Sequence, residues 1–66
     1  MLIRVVETTD EQYLGLEFML PNPGDVLHLG DVVWPIEGVA FDEASGCWKI
    51  WNFNYCAYVQ EVKSEE

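Results

Sequence analysis

Positive charge is what this sequence has least of. Arg4, Lys49 and Lys63 stand against twelve Asp and Glu, and the formal net charge over the 66 residues is −9. A surface of that sign repels phosphate and anionic headgroups, which argues against direct nucleic-acid or membrane binding and in favour of basic partners. Solubility alone asks for a magnitude of only about 2–8 in a small domain, a range the chain just exceeds.

Histidine and cysteine are nearly absent as well. His28 is the single histidine, and Cys47 and Cys56 are the two cysteines. They form neither a recognisable zinc pattern nor a disulfide framework, and two reduced, mostly buried thiols are expected. There is no glycine-rich phosphate loop, no Ser or Cys at a catalytic spacing from His28, and no pair of acids in a signature arrangement. His28, between Leu27 and Leu29, reads as a structural residue pointing to the face opposite them. A chain this short also has little room for a supported pocket of ~300 Å³. These absences point to a protein that is not an enzyme and takes no cofactor and no metal. Asp25, Asp31, Asp42 and Glu43 sit at turns without an EF-hand spacing and read as solvated turn acids.

Long apolar runs are missing too. None approaches the roughly 20 residues a membrane crossing needs, and Met1-Leu2-Ile3-Arg4 has neither the basic region nor the cleavage site of a signal peptide. A cytoplasmic location is the expectation.

What is present is a high hydrophobic fraction, 50%, with three Trp, three Tyr and three Phe. That is enough for one small core and too little for two. The expected organisation is a single acidic domain over residues 1–62, with residues 63–66 as a frayed polar tail.

The apolar residues fall into short runs separated by turn residues. Leu2 to Thr8 is rich in β-branched side chains, and Thr9-Asp10-Glu11-Gln12 suggests a turn. Leu14, Leu16, Phe18 and Leu20 alternate with polar or small residues, which predicts a strand over 14–20. A helix from Asp10 to Leu20, opened by Thr9-x-x-Gln12 as a capping box, competes with it and is opposed by Gly15. Pro21-Asn22-Pro23-Gly24-Asp25 is a loop, Val26 to Leu29 a strand, Gly30-Asp31 a break, and Val32-Val33-Trp34 a further strand. Val39 and Phe41 alternate up to a hairpin connection at Glu43-Ala44-Ser45-Gly46, after which Trp48 and Ile50 share a face. The alternation then shifts to Trp51, Phe53 and Tyr55, which predicts either a bulge near Ile50-Trp51 or burial on both faces. A turn at Asn52 to Asn54 leads into a closing strand, Tyr55 to Val62, and sets Cys47 near Val59 and Cys56 near Ile50. No disulfide is expected in that register.

This pattern predicts an all-β, mainly antiparallel fold: a small SH3-like or OB-like barrel of five to six strands with at most one short helix. Leu16, Phe18, Val39, Phe41, Trp48 and Ile50 are the expected core. Leu16-x-Phe18 followed by Pro23-Gly24-Asp25-Val26-Leu27 resembles the diverging-turn region of SH3 domains, and Trp48 and Asn54-Tyr55 add to the likeness. The resemblance covers scattered positions and implies an SH3-like shape. The paired tryptophans and acidic specificity loop of that family are not evident as a block.

Two binding surfaces follow. The acidic one comprises Glu7, Asp10, Glu11 and Glu17 as one group and Asp25, Asp31, Asp42 and Glu43 as another. It suits a small inhibitor or adaptor docking on a basic, nucleic-acid-binding surface of a partner enzyme. The profile is similar to that of phage-encoded proteins that mimic DNA with carboxylates. The aromatic surface, Trp34, Trp51, Tyr55 and Tyr58, suits the alternative reading, an SH3-like peptide-binding or assembly module, because Trp and Tyr carry much of the energy at interfaces.

Overall fold

The computed structural model describes residues 1–63; of the expected frayed tail, residues 64–66 lie outside them. Seven strands form two sheets. They are Leu2–Thr8 (β1), Glu17–Met19 (β2), Val26–Leu29 (β3), Val32–Pro35 (β4), Gly38–Asp42 (β5), Cys47–Trp51 (β6) and Cys56–Glu61 (β7), with a single-turn 3-10 helix at Glu11–Tyr13. The larger sheet runs β2-β1-β7-β6-β5 and the smaller is the β3–β4 hairpin, with every pairing antiparallel.

The fold is therefore mainly antiparallel β as expected, in two sheets, and no closed barrel is found among the described residues. Within them β2 and β5 end the larger sheet without meeting, and β3 and β4 pair with each other alone. Closure would need a strand bridging β5 to β2. The segment that lies between them in sequence spends its hydrogen bonds within its own hairpin instead.

The hairpin acts as a cover. Ile3, Val5, Ile50, Ala57 and Val59 point to one face of the larger sheet and are fully buried there, and Trp34 and Ile36 close over them. Within the hairpin Trp34 pairs with Leu27, and Val32 with Leu29, on the side facing the sheet. Val26, His28, Val33 and Pro35 face outward, so His28 does lie opposite Leu27 and Leu29. Burying aliphatic side chains of this kind contributes roughly 1.5–3 kcal/mol each.

Leu14 to Leu20 is not a continuous strand. Asp10, and not Thr9, caps the 3-10 helix by accepting from the Gln12 backbone N–H at 3.2 Å, and Gly15 then takes φ +83°. That left-handed turn breaks the pleat: 17–19 keep regular register with β1, while Gly15 and Leu16 both bond to Val5 at the irregular end. Leu14 and Leu16 are left exposed, so Leu16 is not a core residue. Neither is Phe41, 50% exposed on the edge strand β5, while Phe18, Val39 and Trp48 are half-buried. Of the expected core residues Ile50 is fully enclosed.

The bulge also falls elsewhere. β6 keeps one register with both neighbours through Ile50 and Trp51, and the irregularity lies in β1, between Val5 and Glu7. The shift of apolar phase after Ile50 arises because Trp51 stands on the opposite face from Ile50 and Phe53 lies beyond the end of β6, in the turn. The β6–β7 register differs by one residue from expectation: Cys56 faces Trp51 and Val59 faces Trp48. The cause is a four-residue turn. Asn52 donates its N–H to the Tyr55 carbonyl, and its Oδ1 accepts from the N–H groups of Asn54 and Tyr55 at 2.7 and 2.8 Å.

Candidate functional site

The uncovered face of the larger sheet carries the side chains that the core face does not. Cross-strand partners share a face, so the pairs Glu7–Tyr58, Lys49–Tyr58, Ala40–Lys49, Trp51–Cys56 and Gly38–Trp51 place all these residues together on it. Small residues on β5 leave space there. Gly38 and Ala40 rise little above the sheet, while Trp51 and Tyr58 stand above it on β6 and β7. The result is an open groove of about 610 Å³ with a mostly apolar lining. Phe53, 74% exposed at the tip of the β6–β7 turn, and Asn52 and Asn54 form one end.

Lys49 occupies the middle of this groove. Its Nζ lies 5.8 Å from the Trp51 ring centroid and 5.9 Å from that of Tyr58. A cation between two π faces is attracted to both, by about 0.5–1 kcal/mol each at partly exposed sites. Lys49 thereby joins the two aromatic walls across the groove. Among the described residues the single ion pair is elsewhere, between Arg4 and Glu17 at 2.6 Å, and it is solvent-exposed.

The four expected contact aromatics separate into two environments. Trp51 and Tyr58 are half-buried in the groove. Trp34 is not a contact residue: it is 2% exposed, in the core. It is held between Tyr13, at a centroid distance of 5.0 Å, and Tyr55, stacked at 5.1 Å. Its Nε1–H is buried without a hydrogen-bond acceptor among the described residues. Tyr55 belongs mainly to this inner stack and reaches the groove from one end. The reason Trp34 turns inward is its place in β4, where the pleat puts it on the same side as Val32. Tyr13, enclosed by the same stack, has its phenol pKa raised above the usual 10.0, first by burial and then by Tyr55 and Asp10.

The acidic residues do not form one surface. Glu7 and Glu17 stand on β1 and β2, and Asp10 and Glu11 lie at the 3-10 turn between those strands. Asp25 and Asp31 flank opposite ends of β3, roughly 15–20 Å apart at about 3.3 Å per residue. Several carboxylates are occupied with local structure. Asp10 accepts from Gln12, Asp25 from the Asn22 N–H, Asp42 from Ser45 Oγ and the Ala44 N–H, and Glu17 from Arg4. Glu7, Glu11, Asp31 and Glu43 point into solvent and make no side-chain hydrogen bond within the described residues.

Reasoning from sequence missed Lys49 and Cys56 as groove residues. Lys49 shares the odd-numbered phase of Trp51, and Cys56 the even-numbered phase of Tyr58, a signal that the alternation carries once Trp48 and Ile50 are assigned inward. Phe53, which continues the phase of Trp51 in the sequence, lies in the turn at the end of the groove. Among the described residues no three His, Cys, Asp or Glu side chains gather as a metal site would require, and no helix is long and apolar enough to cross a membrane. No family model, no curated protein and no solved structure matches the chain.

Proposed function

We propose that this chain is a non-catalytic, acidic protein-binding domain whose contact surface is the aromatic groove on the open face of its larger sheet. One observation carries the reading: Trp51, Tyr58 and Phe53 surround an apolar groove on a face that no other element covers among the described residues. Trp and Tyr in a semi-enclosed setting are the side chains that supply most binding energy at protein interfaces. They offer large area at small cost in rotamer freedom. The charge of −9 then selects partners, since it draws basic surfaces in and turns acidic ones and nucleic acid away.

A second reading is favoured by the four acids carried by β1, β2 and the turn between them, Glu7, Asp10, Glu11 and Glu17. There the domain is an inhibitor that presents carboxylates to the nucleic-acid site of a basic enzyme, in the manner of a DNA mimic. The experiment that separates the two is affinity capture from cell lysate with three proteins side by side: the unaltered chain, Trp51→Ala/Tyr58→Ala, and the four-fold Lys variant at Glu7, Asp10, Glu11 and Glu17. A protein held by the unaltered chain and lost from the Trp51/Tyr58 variant, with binding that survives about 0.5 M salt, supports the groove. Loss from the Lys variant alone, with release by salt and by added DNA, rejects the groove in favour of the second reading.

A further inference from the structure

The larger sheet has two edges, β2 and β5, and they are not alike. β2 is three residues long, and its Glu17 is tied to Arg4 on β1. β5 runs five residues in unbroken register with β6 and contains no Lys, no Pro and no bulge, the usual devices that keep an edge from pairing. Among the described residues β5 packs against β6 and no other element. Alternate N–H and C=O groups along its far side therefore lack a strand partner.

The side chains around that edge define what would fit it. Val39 and Phe41 face the core side, with Phe41 half exposed beside Trp48 at 5.3 Å between ring centroids. Gly38 and Ala40 face the groove, and the Trp51 ring lies over Gly38, which brings aromatic surface to the sheet edge. Glu37 precedes the strand, and Asp42 and Glu43 end it. A second copy of the chain is a poor occupant. Two-fold pairing of β5 would oppose Glu37 of one copy to Glu43 of the other and set −9 against −9.

We infer that β5 is a strand-addition edge that accepts an extended basic segment of a partner protein, its Lys or Arg side chains meeting the acids Glu37, Asp42 and Glu43 at the two ends of the strand. Backbone hydrogen bonds supply the attachment, and acids at both ends of β5 select the charge. The inference rests on the protein-binding reading above and adds the backbone of β5 to the contact.

The probe is a capped seven-residue peptide of alternating Lys and Val, added to ¹⁵N-labelled protein while amide hydrogen exchange is followed by NMR. Exchange slows about tenfold or more at alternate amides of residues 38–42. The same peptide with Glu in place of Lys produces no slowing, and neither does the Lys peptide N-methylated at every residue, which keeps its side chains and loses its donors. Absence of slowing at β5 with the unmethylated Lys peptide, or equal slowing with the methylated one, overturns the inference. Shifts confined to Trp51 and Tyr58 also overturn it and leave the groove reading standing. Slowing at β5 that persists in Trp51→Ala upholds the edge and counts against the groove. Protection of β5 that appears without peptide and grows with protein concentration assigns the edge to a second copy and overturns the basic-segment assignment.

Discussion

The indole of Trp51 occupies the space that a side chain at Gly38 would fill: a Cβ built on Gly38 overlaps Cζ2 and Cε2 of the ring. The two residues are cross-strand partners on β5 and β6, and Gly38 is buried beneath its neighbour although it lies on an edge strand. Gly38 has an ordinary negative φ, so the requirement for glycine is one of room and not of backbone conformation.

Gly38→Ala should therefore push the indole off β5 and cost about 1–3 kcal/mol, the usual range for overpacking. Urea denaturation monitored by circular dichroism gives the cost, and a red-shifted tryptophan emission with faster acrylamide quenching reports the displaced ring. An unchanged stability with unchanged emission would show that Trp51 does not rest on Gly38.

Trp34 and Phe41 should respond in opposite ways to truncation. Trp34→Ala empties the centre of the Tyr13–Trp34–Tyr55 stack and should cost about 3–5 kcal/mol, which leaves a domain of this size unfolded or nearly so. Phe41→Ala removes a half-exposed ring and should cost about 1 kcal/mol. Equal losses in thermal or urea unfolding would contradict the two placements.

Tyr13 makes stability fall at alkaline pH. Its folded-state pKa lies above the unfolded 10.0, so the unfolded chain releases this proton first and binds fewer protons than the folded one above pH 10. The contribution is fully present below the unfolded pKa and is lost as pH rises through the folded value. Tyr13→Phe keeps the ring and removes the proton, and its unfolding midpoint should decline less between pH ~9 and ~11. A variant that loses as much as the unaltered chain over that range would show that Tyr13 is not the group responsible.

The two thiols should differ in reactivity and should not join. Cys56 lines the groove and is half-buried, while Cys47 is buried at the far end of β6. A disulfide-exchange reagent should modify Cys56 well before Cys47, and a ligand in the groove should slow the first reaction. Oxidation without reagent should leave both free, because Cys56 pairs with Trp51 and Cys47 lies four residues away along β6. Rapid modification of both thiols, or a Cys47–Cys56 bridge in mass spectrometry, would contradict the register.

Turns were legible in the sequence because their chemistry is local. Pro21 to Asp25, Gly30-Asp31, Glu43 to Gly46 and Asn52 to Asn54 were expected as breaks, and each separates two strands in the structure. Asp42 and Gly46, at φ +73°, close the third of these by interactions within five residues. The segment before Glu17 misled because its alternation continues across Gly15, whose left-handed backbone leaves no mark on apolar periodicity.

The candidate site was less legible than the fold, for a reason of registration. Trp51 and Tyr58 were expected at a contact surface and lie together in the groove, but Trp34 was expected beside them and is in the core. Period-2 alternation assigns neighbours to opposite faces without saying which face is covered. In this chain the cover is the β3–β4 hairpin, and nothing in the alternation of β4 shows that it folds over the sheet instead of joining it.

By itself, then, the sequence determined the antiparallel strands, their turns and the charge of −9, because each follows from residues close together in the chain or from composition alone. Tertiary structure alone decided that the sheet stays open, that Trp34 turns inward while Trp51 turns out, and that β5 keeps a bare edge. Those outcomes depend on which face the hairpin buries, and that is settled by packing between strands distant in sequence, which period-2 alternation does not record.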